Sequence, residues 1–123
     1  MKAAAIAVVA ALTLSALPGA AAAMSVQEFL TSANRIPRNP TALLRSDTRR
    51  LMNEMKAAFR TIRDEQAAAR AAGRRPATCV PDKVSVNTGE ILGRFSSIPP
   101  QRRGISVTQA VREWMAEAHP CPA

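Results

Sequence analysis

The sequence predicts an all-α fold, a small bundle of about four helices stapled by one disulfide. Three observations point there. Serines open three segments in the manner of helix N-caps: Ser25-Val-Gln-Glu28, Ser85-Val-Asn-Thr88 and Ser106-Val-Thr-Gln109. Pro37, Gly73, Pro99 and Pro120 punctuate the chain just past the expected helix ends. No run alternates with the period of a strand except the short Lys83–Val86 stretch, which reads as a helix entry.

The chain has 123 residues, one domain's worth and too few for a Rossmann or barrel enzyme. Its start reads as an address. Met1-Lys2 is positively charged, Ala3 to Leu17 is apolar, and Pro18-Gly19 precedes a run of alanines. Small residues before the cut suit a signal peptidase, so the expectation is a signal peptide over 1–23, cleaved between Ala23 and Met24. The apolar run falls short of the roughly 20 residues that span a bilayer. The expected mature chain, 24–123, is a single helical domain with no transmembrane segment, exported to the periplasm.

The first helix is expected at about 26–35, because Ser25 and Glu28 have the spacing of a capping box. The second covers 40–72. Asn39-Pro40 supplies the N-cap and first position, and Gly73 the C-cap. Leu44, Leu51, Met55, Phe59 and Ile62 form its apolar face. Unbroken, it would run about 50 Å and overhang a domain of this size. Two outcomes are open: a break near Arg45-Ser46-Asp47, or a projecting, fraying end from Gln66 to Ala72. The third helix is expected at 86–97 behind Ser85, and the fourth at 107–118 behind Ser106. The expected core is Phe29, Leu30, Leu51, Met55, Phe59, Ile62, Ile91, Leu92, Phe95, Ile98, Ile105, Val111, Trp114 and Met115.

Cys79 and Cys121 are the two cysteines, an even count in an exported chain, which reads as a disulfide. It would close the last two helices into an antiparallel pair and contribute about 4 kcal/mol. Two isolated cysteines and one histidine do not have zinc-site spacing. The sequence therefore predicts no metal, no cofactor and no enzyme activity. His119 suits a helix C-terminus, the serines suit caps, and Asp64-Glu65 are adjacent rather than facing.

The net charge is +8 and points to an acidic partner. Arg45, Arg49, Lys56, Arg60, Arg63 and Arg70 share one flank of the long helix, about 100° from its apolar stripe on a helical wheel. One reading is a solvated face, partly neutralised by Glu90, Glu113 or Glu117 of neighbouring helices. The other is a binding face for an anionic protein surface, lipid headgroups or a wall polymer. Export and the lack of stacking aromatics argue against nucleic acid.

Cys79-Val-Pro81, the segment from Ser85 to Leu92, Pro99, Ser106-Val-Thr-Gln-Ala-Val111 and the ending His119-Pro120-Cys121 resemble the Rap/Tai-type immunity proteins of type VI secretion amidase effectors. The resemblance covers 25–121 in outline and is most specific over 79–121. A second cysteine pair, frequent in that family, is missing from this sequence. The resemblance implies an all-helical periplasmic protein, with a homodimer among its assemblies, that binds a peptidoglycan amidase toxin and blocks its cleft. The candidate contact residues are the stiff basic loop Pro99, Pro100, Gln101, Arg102 and Arg103, with Arg49, Lys56, Arg60 and Arg63 of the stripe. The competing readings are a small periplasmic stress chaperone of the HdeA type and a basic protein bound to the wall or membrane surface.

Overall fold

The computed structural model describes residues 23–122. The expected signal peptide falls almost wholly outside them; Ala23 is exposed and Met24 is buried. Among the described residues four helices form: α1 (Val26–Asn34), α2 (Ser46–Ala71), α3 (Thr88–Ser96) and α4 (Val107–Ala118). Short 3-10 turns occupy Pro40–Leu44 and Pro100–Arg102. The fold class is the one the sequence predicts, with Cys79 joined to Cys121.

Local chemistry sets the boundaries. Ser25 is extended, and its Oγ accepts from the Glu28 amide at 3.1 Å. Ser106 accepts from the Gln109 amide at 3.0 Å. The third helix corrects the expectation: its cap is Asn87, not Ser85. Asn87 Oδ1 accepts from the Glu90 amide at 2.8 Å, while Asn87 Nδ2 donates to Glu90 Oε1 at 2.8 Å. Asparagine caps as well as serine does, and the glutamate three residues on favours position 87.

The long segment takes the first of its two open outcomes. Asn39 caps a 3-10 turn by accepting from the Thr41 amide at 3.0 Å. Arg45 then turns extended, with ψ 139°, and α2 begins at Ser46. Thr48 Oγ1 donates to the Ala42 carbonyl at 2.6 Å and holds the break. The break puts Leu44 outside the apolar stripe, where it is 80% exposed, contrary to the face assigned it from the sequence.

The far end of α2 is fixed rather than projecting. Gly73 has φ +70°, a left-handed conformation that a residue without Cβ adopts freely. The Gly73 amide donates to Arg70 O at 3.0 Å and the Arg74 amide to Ala69 O at 2.8 Å, a Schellman ending. Gln66 is buried beneath it. Its Oε1 accepts from Thr78 Oγ1 and from the Val80 amide, each at 2.7 Å, and its Nε2 donates to Val80 O at 3.3 Å.

α4 packs most extensively against α2, while α3 leans on α1. The last two helices therefore do not form the expected pair. The disulfide instead fastens the segment after α2 to the chain end beyond α4, beside a Cys79 amide bond to His119 O at 2.9 Å. An isolated antiparallel bridge, Ser25 to Ser106, joins the starts of α1 and α4. Phe29 and Phe95 meet edge to face at the core, 5.0 Å between ring centres. Of the expected core, Phe59, Ile91, Leu92, Ile105 and Trp114 are only partly buried. Met24, Val26, Ala58, Val80, Val107 and Ala110 join the core unforeseen.

Candidate partner-binding groove

α2 and α3 both rest on α1 but pack little on each other. The opening between them is a groove of about 1490 Å³, lined also by Ala42 and Leu43 of the Pro40–Leu44 turn and by Val84, Ser85, Val86 and Thr88. Phe29, Leu51, Met55, Phe59, Ile91 and Leu92 supply its apolar surface. Two of its lining residues are large hydrophobics left in solvent, Leu43 at 72% and Met52 at 49% exposure.

The sequence shaped this opening through the break at Arg45. Starting the helix at Ser46 leaves Pro40–Leu44 as a separate turn, and Leu43 of that turn lines the groove. Residues 48, 51, 52, 55, 56, 59, 60 and 63 of α2 line it at helical steps of three and four.

Cations border the apolar floor. Arg38, Lys56, Arg60 and Arg63 all line the groove, against the single acid Asp64. Among the described residues none of these four pairs with a carboxylate; the ion pairs are Arg45–Asp47, Arg94–Glu117, Arg102–Glu113 and Arg112–Glu65. Glu113 and Glu117 thus serve other arginines, and Glu90 serves Asn87, so none of the three neutralises the stripe as the solvated-face reading expected.

Arg63 is the most constrained of the four. Its guanidinium lies 5.9 Å from the centre of the Phe59 ring, and its Nη2 donates to Asp82 O at 3.1 Å. Its Nε is shut off from solvent without an acceptor. An unpaired buried donor of this kind costs about 1–3 kcal/mol.

The structure divides the residues singled out from sequence. Lys56, Arg60 and Arg63 come together at the groove, while Arg49 does not line it. Arg45 turns to Asp47, and Arg70 Nη2 lies 3.9 Å from Cys79 Sγ. In the basic loop, Pro99, Pro100 and Gln101 are exposed. Arg102 pairs with Glu113, and Arg103 donates to Ile98 O and Ser96 O, both at 2.9 Å. The two arginines of this loop hold the α3–α4 connection in place.

Sequence reasoning missed Arg38, Leu43, Met52 and Val86 as part of a site. The one signal for them was the Leu43-Leu44 pair beside a helix break. Shifted carboxylates lie away from the groove. The Arg112 hydrogen bond holds Glu65 below its usual range, and the Arg94 hydrogen bond does the same to Glu117. Among the described residues no group of three or more His, Cys, Asp or Glu could hold a metal ion. No helix there is long and apolar enough to cross a membrane. No family model matches the chain, and neither the curated proteins nor the solved structures give a match.

Proposed function

We propose that the protein is an exported, immunity-like protein that binds and blocks a toxin, such as an amidase effector of type VI secretion, at the groove between α2 and α3. The observation that carries this reading is the groove itself: an apolar floor with Leu43 and Met52 exposed, bordered by four cations without carboxylate partners. Contiguous exposed apolar surface rimmed by charge is characteristic of protein-binding sites. The apolar floor supplies the buried centre of an interface, and the arginines supply steering toward an acidic partner. Blocking an enzyme in this way needs occupancy alone, with no chemistry from the binder. The apolar leader and the disulfide favour a home outside the cytoplasm. The resemblance over 79–121 supports the toxin class.

The test uses the chain expressed from its full sequence and purified with its disulfide formed. It is mixed at physiological salt with extract containing exported peptidoglycan hydrolases. The expected result is one hydrolase recovered at equal stoichiometry, its hydrolysis of peptidoglycan abolished in the complex. Recovery of many unfolded proteins would replace this reading with the chaperone. Recovery of anionic lipid or wall fragments alone would replace it with a surface-binding protein.

A further inference from the structure

We infer that the groove receives an acidic amphipathic α-helix of the partner, laid along α2 with its carboxylates against Arg60 and Arg63. This rests on the reading that the groove is a protein-binding site, and it names the chemistry of the occupant.

Shape argues for a helix. The lining of α2 runs from Thr48 to Asp64, more than four turns and about 24 Å of rise. α2 and α3 share α1 as a support and stand apart, so the opening has the place of a missing bundle helix. A helix seated there would bury a stripe at i, i+3, i+4 and i+7 against Met52, Phe59, Ile91 and Leu92, the groove residues that are exposed or only partly buried. An extended peptide has less to gain. Strand addition needs an open sheet edge, and the main walls of this groove are helices whose backbone groups are already bonded.

Charge argues for acidic residues on that helix. Arg38, Lys56, Arg60 and Arg63 face it with one acid, Asp64, among them. Arg63 is held in place by Phe59 and by Asp82 O. A carboxylate beside it would gain a charge-assisted hydrogen bond from a guanidinium that is already positioned.

The probe is a fluorescein-labelled Leu/Glu peptide of about five turns, amphipathic at helical period. Its binding to the full, disulfide-bonded chain is read by anisotropy at physiological salt. The expected result is binding roughly ten-fold tighter than that of a scrambled isomer and of a Leu/Lys counterpart. Met52→Glu places a charge at an exposed groove position and should weaken binding by roughly ten-fold with an unchanged melting curve. Arg63→Gln should weaken the Leu/Glu peptide but not a Leu/Gln peptide. Equal binding of the scrambled or Leu/Lys peptide, or indifference to Met52→Glu, overturns the inference. So does binding to phosphatidylglycerol vesicles with none to the peptide. A captured hydrolase that Met52→Glu still binds fully would overturn the helix-in-groove inference and the groove as the toxin's seat, and leave only the immunity class standing. Selective peptide binding with no hydrolase recovered would do the reverse.

Discussion

Ser25 and Ser106 stand opposite each other in an isolated antiparallel bridge, and each caps the helix that follows it. The bridge is made by backbone: the Val26 amide donates to Ile105 O and the Val107 amide to Met24 O, both at 2.9 Å. The serine side chains are left for the caps. Ser106→Ala should therefore cost about 1 kcal/mol through the lost cap alone. Urea unfolding checks the magnitude. Faster amide exchange confined to the first turn of α4 checks the mechanism.

Gln66 acts on the loop after α2 as a strand neighbour would, bonding both the amide and the carbonyl of Val80. Gln66→Leu keeps much of the volume but strands the Val80 amide and the Thr78 hydroxyl in a buried place. The expected loss is about 1–3 kcal/mol. Hydrogen exchange should show the Val80 amide opening before the helices do.

The disulfide spans 42 residues of sequence. Loop-closure entropy for that span gives about 4 kcal/mol, a large share of the stability of a domain this small. Calorimetry of oxidised and reduced protein should show a marked fall in melting temperature on reduction. An unchanged value would mean that the Gln66 clamp and the Arg75 bond to Cys121 O at 2.7 Å hold the ends without it.

Glu65 and Arg112 tie α2 to α4, and their hydrogen bond holds the Glu65 pKa below the ordinary carboxylate range. A carboxyl whose pKa falls on folding stabilises the fold when ionised. That contribution is complete above the ordinary carboxylate range and fades as pH drops through the lowered value. The Glu65 side chain is 46% exposed, so the effect is at most about 1 kcal/mol. Urea midpoints measured from neutral pH down to about pH 3 should fall less steeply in Glu65→Gln than in the wild type.

Helix boundaries were legible where cap chemistry is local: Ser25, Gly73 and Ser106 act where the sequence put them, while Asn39 caps the Pro40–Leu44 turn and not α2, which starts at Ser46 behind an Arg45 without a side-chain cap bond. Ser85 misled because two good caps lie two residues apart, and Glu90 decides for Asn87. Gln66 was illegible as a core residue, since its partners lie 12 and 14 positions away. The basic stripe was readable from helical period. Its division was not, because only the placement of α3 and of the Pro40–Leu44 turn separates Arg60 and Arg63 from Arg49. The groove is a gap between α2 and α3, and no residue pattern within either helix announces it.

Site-specific photocrosslinking separates a partner seated in the groove from one bound elsewhere on the surface. A benzoyl-phenylalanine in place of Met52 lies at the groove; one in place of the exposed Ala116 on α4 lies outside its lining. In cells that export the protein alongside peptidoglycan hydrolases, a partner seated in the groove gives a single hydrolase adduct from position 52 and none from position 116. Adducts from position 116 with none from position 52 would contradict that seating.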